Sequence, residues 1–150
     1  FKPHIVKYVI DTQTGAKRMI EPKPLANLGL KPENIEVINK AMVGVTTAGT
    51  GARAFAGVQY PVAGKTGTAQ VFSLKGAKYK EGEVHERMRD HALFIAYAPA
   101  DKPRIAVAVL VENGGFGAAA AAPIARQVLD YYIMGIKPPG AVTDDAGAEE

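Results

Sequence analysis

Two apolar runs bridged by a segment with proline at both ends constrain this chain most. Ala92 to Ala98 and Arg104 to Glu112 are joined by Pro99-Ala100-Asp101-Lys102-Pro103. Proline cannot donate to a strand ladder, so it bounds both runs. The short connection turns the second run back on the first, which predicts an antiparallel pair. The second run alternates alanine with branched aliphatics, and a strand of that kind is expected to be covered on both faces. A further strand is predicted upstream, from about Val58 to Phe72, with Pro61 marking an edge or a bulge at its start.

Helices flank these strands. Pro32 suits a first helical position, and Glu33 and Glu36 complement the positive end of the dipole, so a helix is predicted from Pro32 to Ala48. Ile35, Ile38, Met42 and Val45 fall on one stripe, which reads as core packing, and Gly49-Thr50-Gly51 reads as the loop that follows. A last helix is predicted from Ala118 to Met134, with Ile124, Val128, Leu129 and Ile133 as its stripe and Gly135 as its stop; it either begins or kinks at Pro123. Near the start, His4 to Ile10 and Ala16 to Ile20 flank a polar loop ending in Gly15, the pattern of a hairpin. The fold class is therefore α+β: antiparallel strands with flanking helices. Three regions are expected: a hairpin and linker over 1–31, the main body over 32–137, and a disordered acidic tail over 138–150.

Composition narrows the classes of function. With 150 residues the chain suits one domain or a piece of a larger one. Phe1-Lys2-Pro3-His4 reads as sequence from the middle of a protein. Hydrophobic residues make up 47% and charged residues 22%, so a packed core is expected. No apolar run reaches the roughly 18 to 20 residues of a membrane span. With no cysteine there is no disulfide or thiolate metal site, and His4, His85 and His91 lack metal-ligand spacing. The net charge is +3, and four of the 15 acidic residues crowd into Asp144 to Glu150, leaving +7 over residues 1–140. These cations are scattered and form no stripe, so they read as a solvated surface and no nucleic-acid partner is expected.

The densest chemical signal is Ala63-Gly64-Lys65-Thr66-Gly67-Thr68-Ala69-Gln70. On a strand, residues two apart share a face, so the Thr66 and Thr68 hydroxyls converge while Lys65 points to the opposite side. Gly67 lets a ligand backbone approach without a Cβ clash. The outward N–H groups of an edge strand can receive an oxyanion or an extended peptide. Gly64-Lys65-Thr66 also resembles the end of a phosphate-binding loop. That motif needs glycine where Gln59 stands, and a helix where Gly67, Val71 and Phe72 indicate a strand. Taken singly, Thr66 and Thr68 are ordinary strand formers and Lys65 an ordinary surface charge.

A Lys-Thr-Gly triplet heading a strand is one of three motifs of penicillin-recognising serine acyltransferases. The other two, Ser-x-x-Lys and Ser-x-Asn, are not in this sequence, whose one serine, Ser73, precedes Leu74-Lys75-Gly76. The stretch continues through Arg89-Asp90-His91-Ala92-Leu93-Phe94 and Glu112-Asn113-Gly114-Gly115 to Pro123-Ile124-Ala125-Arg126-Gln127-Val128-Leu129-Asp130. In order and wording it resembles the C-terminal part of class B penicillin-binding proteins of the elongation type. The resemblance runs from Val58 to Met134, extends to the preceding helix, is weak over residues 1–24 and is absent in the tail. It implies the C-terminal portion of a β-lactamase-like transpeptidase domain.

The resemblance further implies that Lys65 and Thr68 are catalytic. Lys65 would support proton transfer beside the nucleophile and attract the substrate carboxylate, and the Thr68 N–H would form half of the oxyanion hole. Thr66, Gly67 and Thr68 would bind substrate, the two hydroxyls on its carboxylate. The implied partners are the upstream half of the same domain, peptidoglycan stem peptides, β-lactam antibiotics and membrane proteins of the elongation machinery. The implied location is the periplasmic side of the inner membrane, anchored by a helix not in this sequence. No metal or organic cofactor is implied. A β-lactamase or D,D-carboxypeptidase part, or a non-enzymatic β-lactam-sensing module, would share the strand.

Three other features need places in the structure. The polar stretch from Lys75 to Asp90 reads as a solvated loop or a flap beside the site. Arg89, Asp90 and His91 read as a local ion-pair cluster pinning that loop's end, and Gly114 to Gly117 as a turn. The strand over 104–112 is expected to leave a long apolar edge that another segment must cover, so the isolated chain is not expected to fold stably.

Overall fold

In a computed structural model, residues 1–71 and 84–140 are described, and they form two compact units divided between Asn34 and Ile35. The first unit holds a small hairpin, β1 (Tyr8–Ile10) and β2 (Lys17–Met19), in the register Tyr8 to Met19, Val9 to Arg18 and Ile10 to Lys17. Its loop is held by Asp11, whose Oδ1 accepts the N–H groups of Gln13 and Thr14 at 2.9 Å each. Those bonds hold the Asp11 carboxyl below its ordinary pKa. Gly15 closes the loop at φ +70°, a conformation disfavoured for residues with a Cβ. The paired strands are shorter than the sequence indicates, with His4 to Lys7 outside the ladder.

Helix α1 (Pro32–Thr47) starts at the expected proline, but its stripe is not a core stripe. Ile35 and Ile38 are 51% and 60% exposed, Met42 and Val45 are half-buried, and the buried residue is Thr46. Polar residues make the attachments here. Asn39 donates to the Ala100 carbonyl at 3.2 Å and accepts the Tyr97 hydroxyl at 3.0 Å. Thr46 donates to the Val62 carbonyl at 2.5 Å.

The body of the second unit is a three-stranded antiparallel sheet in the order β3 (Ala63–Ala69), β4 (His91–Ala98), β5 (Ile105–Val111). Helix α2 (Gly117–Met134) lies across one face. Alanines on both surfaces, Ala92, Ala96 and Ala98 against Ala121, Ala122 and Ala125, let helix and sheet approach closely, with Leu129 filling the remaining space. Phe94 is fully buried and stacks on Phe55 with ring centroids 5.5 Å apart. Both the strand pair and its Pro-bounded connection match the sequence-based expectation.

Two strand expectations change, and one open choice is settled. β3 begins at Ala63, because residues 58–62 are irregular and the Pro61 carbonyl accepts the Ala100 N–H; Phe72 lies outside the described residues. β5 is covered on one face only. Ile105, Val107, Val109 and Val111 are half-buried, whereas Ala106, Ala108 and Leu110 are exposed, since α2 reaches a single side of the sheet. The choice left open at Pro123 resolves to a helix that starts at Gly117, with the proline inside it and Gly135 as its left-handed C-cap.

Candidate active site

The strand register sets the faces of the Lys-Thr-Gly segment. Thr66 pairs with Phe94 and Thr68 with Ala92, so both threonines share the side on which α2 packs. Lys65 pairs with Ile95 and Gly67 with Leu93, which places them on the opposite side. This is the alternation expected from the sequence.

The side chains differ in how they are held. Lys65 is exposed, and its Nζ donates to the Thr66 carbonyl at 2.7 Å. Thr66 is half-buried, and its Oγ1 lies 3.1 Å from Oγ1 of Thr50. Thr68 is exposed. β3 has β4 on one side and no strand on the other among the described residues, so its outer edge presents backbone donors that the sheet does not use. One cation, two hydroxyls and a row of N–H groups make a donor-rich wall, suited to an anion and to an oxygen gaining negative charge.

Glycines bring the backbone of this wall close to its supports. A Cβ on Gly64 would lie 2.7 Å from Phe94 Cζ. Gly117, the first residue of α2, rests on the Gly67 and Leu93 backbone with no room for a Cβ. A cleft of about 370 Å³ near the start of α2 is lined by Arg53, Ala54, Ala118, Ala119 and Pro123, and none of the wall residues is among these.

The cluster at Arg89 to His91 is anchored by Asn113, which sequence reasoning did not single out. Its N–H donates to His91 Nδ1 at 2.9 Å, and its side-chain amide donates to the Arg87 and Arg89 carbonyls at 3.1 and 2.9 Å. Asn113 adopts φ +54° and Gly115 φ +73°, a turn that also brings the Gly115 N–H to the Asp90 carbonyl. Asp90 is buried. Residues 72–83, with most of the polar loop and Ser73, lie outside the described residues, as do residues 141–150 of the acidic tail. Among the described residues no group of acids and histidines could hold a metal ion, and no helix is long and apolar enough to cross a membrane.

The Lys-Thr-Gly segment thus lies on the outer strand of an antiparallel sheet backed on one face by α2. The chain belongs to the penicillin binding protein transpeptidase domain family, whose model matches residues 1–130. That match includes the hairpin, within the stretch 1–24 over which the resemblance read from the sequence is weak. The peptidoglycan D,D-transpeptidase MrdA of Haemophilus influenzae is 50% identical over 101 residues, 65% of this chain and 16% of the relative. Its namesake from Acinetobacter baumannii is 42% identical over 135 residues, 87% of this chain and 20% of the relative. Pseudomonas aeruginosa PBP2, solved with WCK 5153, superposes with a TM-score of 0.63 at 38% identity, covering 78% of this chain and 24% of that one. Penicillin-binding protein A of Mycobacterium tuberculosis, solved as a ceftriaxone acyl-enzyme, gives 0.67 at 29% identity, covering 88% and 28%. The chain thus spans a fifth or less of these curated relatives and corresponds to the C-terminal part of an elongation-type class B member.

Proposed function

We propose that this chain supplies one wall of the active site of a peptidoglycan D,D-transpeptidase, and that β-lactams occupy the same wall. One observation carries the reading: Lys65, Thr66 and Thr68 stand in sequence on a strand whose outer edge is open among the described residues. In acyl transfer, a serine from the upstream half of the domain attacks a stem-peptide carbonyl. The C–N bond breaks to leave an acyl-serine ester, the serine's proton goes to the departing amine, and an acceptor amine then displaces the serine. The Thr68 N–H and the nucleophile's own N–H hold the oxyanion, and the Thr66 and Thr68 hydroxyls hold the substrate carboxylate. Lys65 adds positive charge beside the nucleophile and supports its proton transfer. Gly67 keeps the strand clear of substrate. Stem peptides and membrane proteins of the elongation machinery are the proposed partners, and the periplasmic face of the inner membrane the proposed location. Within the chain, 1–31 serves as hairpin and linker and 32–137 as the body of the domain.

The test is labelling with a fluorescent penicillin of the longer protein that carries both this chain and the upstream half. Labelling is expected on the upstream half, and Lys65→Ala is expected to slow it by about 100-fold or more. Labelling on residues of this chain, or full labelling of the Lys65→Ala protein, overturns the proposal.

A further inference from the structure

We infer that Thr50 is a positioning residue for Thr66, setting which way the Thr66 hydroxyl donates and thereby favouring a ligand with a free carboxylate. This rests on the proposed role of Thr66 as a carboxylate ligand. Thr50 lies in the turn after α1, 16 residues before Thr66, and the two Oγ1 atoms are 3.1 Å apart.

The turn holds Thr50 in place. The Gly49 N–H donates to the Gly44 carbonyl at 2.8 Å, and the Gly51 N–H to the Val45 carbonyl at 2.9 Å. A Cβ on Gly49 would lie 2.8 Å from Val45 Cα, and one on Gly51 would lie 3.2 Å from the Val45 carbonyl oxygen and 3.6 Å from Phe94. The two glycines let the turn fold tightly on the end of α1 and against Phe94. Phe94 is also the cross-strand partner of Thr66, so one buried residue lies beside both the Thr50 turn and β3.

The consequence follows from proton counting. A hydroxyl has one hydrogen to donate and can accept through its lone pairs, whereas a carboxylate only accepts. For Thr66 to donate to a carboxylate, its own hydrogen must point outward, and in the hydroxyl pair Thr50 must then be the donor. Accepting from Thr50 also polarises the Thr66 hydroxyl and strengthens its outward bond. Without the Thr50 hydroxyl, Thr66 loses this bias, although its position on β3 is unchanged. In this role Thr50 acts through Thr66, the residue its hydroxyl contacts, and not on the reacting atoms.

The experiment uses the longer protein and compares acylation rate constants for benzylpenicillin and its methyl ester, which lacks the carboxylate charge. Thr50→Val is expected to slow reaction with the free acid about 3- to 10-fold while changing the ester by less than about twofold. Thr50→Ser, which keeps the hydroxyl, is expected to stay within about twofold of the wild type on both. Thr50→Val is expected to add nothing to Thr66→Val. Equal losses on acid and ester, loss in Thr50→Ser, additivity with Thr66→Val, or wild-type rates in Thr50→Val each overturn the inference. If Thr50→Val fails to fold, Thr50→Ala is read by the same criteria. A protein that labels and responds to Lys65→Ala but ignores Thr50 sinks this inference alone. A wild type that does not label at all sinks the proposed function and this inference with it.

Discussion

Gly117 is seated directly on Gly67. The first residue of α2 packs so closely over the glycine of the Lys-Thr-Gly segment that a Cβ there would overlap the Gly67 and Leu93 carbonyl oxygens and come within 3.1 Å of the Gly67 nitrogen. Two residues 50 positions apart thus set how closely β3 approaches α2 without any side-chain contact. Thr66 and Thr68 flank Gly67 in sequence and share one side of the sheet.

Gly117→Ala is expected to act as an overpacking change at this seat. The added methyl meets backbone, which cannot turn aside as a side chain can. The expected loss is about 1–3 kcal/mol of stability, read as a lower urea midpoint, together with slower penicillin acylation because β3 is displaced. A variant with wild-type midpoint and acylation would show that α2 does not fix the strand.

How much of this was legible in the sequence depends on whether a feature is local. The strand pair was legible because Pro99 and Pro103 bound it, and the alternation of Lys65 to Thr68 because those residues are contiguous on one strand. Thr50 read only as part of a loop and Gly117 only as part of a turn, since their contacts to β3 are long-range and no periodicity encodes them. The α1 stripe misled for a related reason. Spacing finds the apolar face of a helix, but here Asn39 and Thr46 make the attachments while Ile35 and Ile38 stay exposed. For β5, alternation of alanine with valine marked two faces but could not say that only one meets a helix. Arg126 and Asp130 entered only as part of the family-resembling stretch, with no signal that they bond to each other or to Tyr60.

Gly64→Ala is expected to clash with Phe94, whose Cζ and Cε1 would lie 2.7 and 3.1 Å from the new Cβ. Phe94 is fully buried and stacked on Phe55, so its ring has little freedom to move. The expected cost is about 1–3 kcal/mol. Phe94→Leu, also destabilising alone, is expected to relieve the clash, so the double variant should be more stable than the sum of the single losses by at least about 0.5 kcal/mol. Strict additivity in urea melts would mean that the ring does not limit Gly64.

Tyr60 ties the approach to β3 to the last helix. Its hydroxyl donates to Asp130 Oδ1 at 2.6 Å, while Arg126 Nε donates to Oδ2 at 2.6 Å and another Arg126 nitrogen to the Ala56 carbonyl at 3.2 Å. Burial, then the bond to Asp130 and its charge, raise the Tyr60 pKa well above the ordinary 10.0. A raised folded-state pKa means that the stabilisation is fully present below pH 10.0 and is lost as pH climbs above it. Tyr60→Phe is expected to cost about 1 kcal/mol at neutral pH. The gap between the two proteins is expected to narrow from about pH 10 upward. A gap that widens with alkalinity would contradict the assignment.

Thr46 and Thr50 lie four residues apart yet are expected to respond in opposite ways. Thr46 is buried, and its hydroxyl donates to the Val62 carbonyl at 2.5 Å and to the Val43 carbonyl at 3.0 Å, holding the residue that leads into β3. Thr46→Val keeps the shape but leaves the Val62 carbonyl without that donor, at an expected cost of about 1–3 kcal/mol. Because the hydroxyl touches no wall residue, acylation by the fraction that remains folded is expected to match the wild type on both benzylpenicillin and its ester. Thr50→Val is expected to do the reverse: an exposed hydroxyl contributes little to stability, but acid and ester respond differently. Urea midpoints and the acid-to-ester rate ratio, measured on both variants, separate a threonine that holds the strand from one that orients a neighbour. A changed ratio in Thr46→Val would mean that the carboxylate preference tracks the stability of β3 and not the Thr50 hydroxyl.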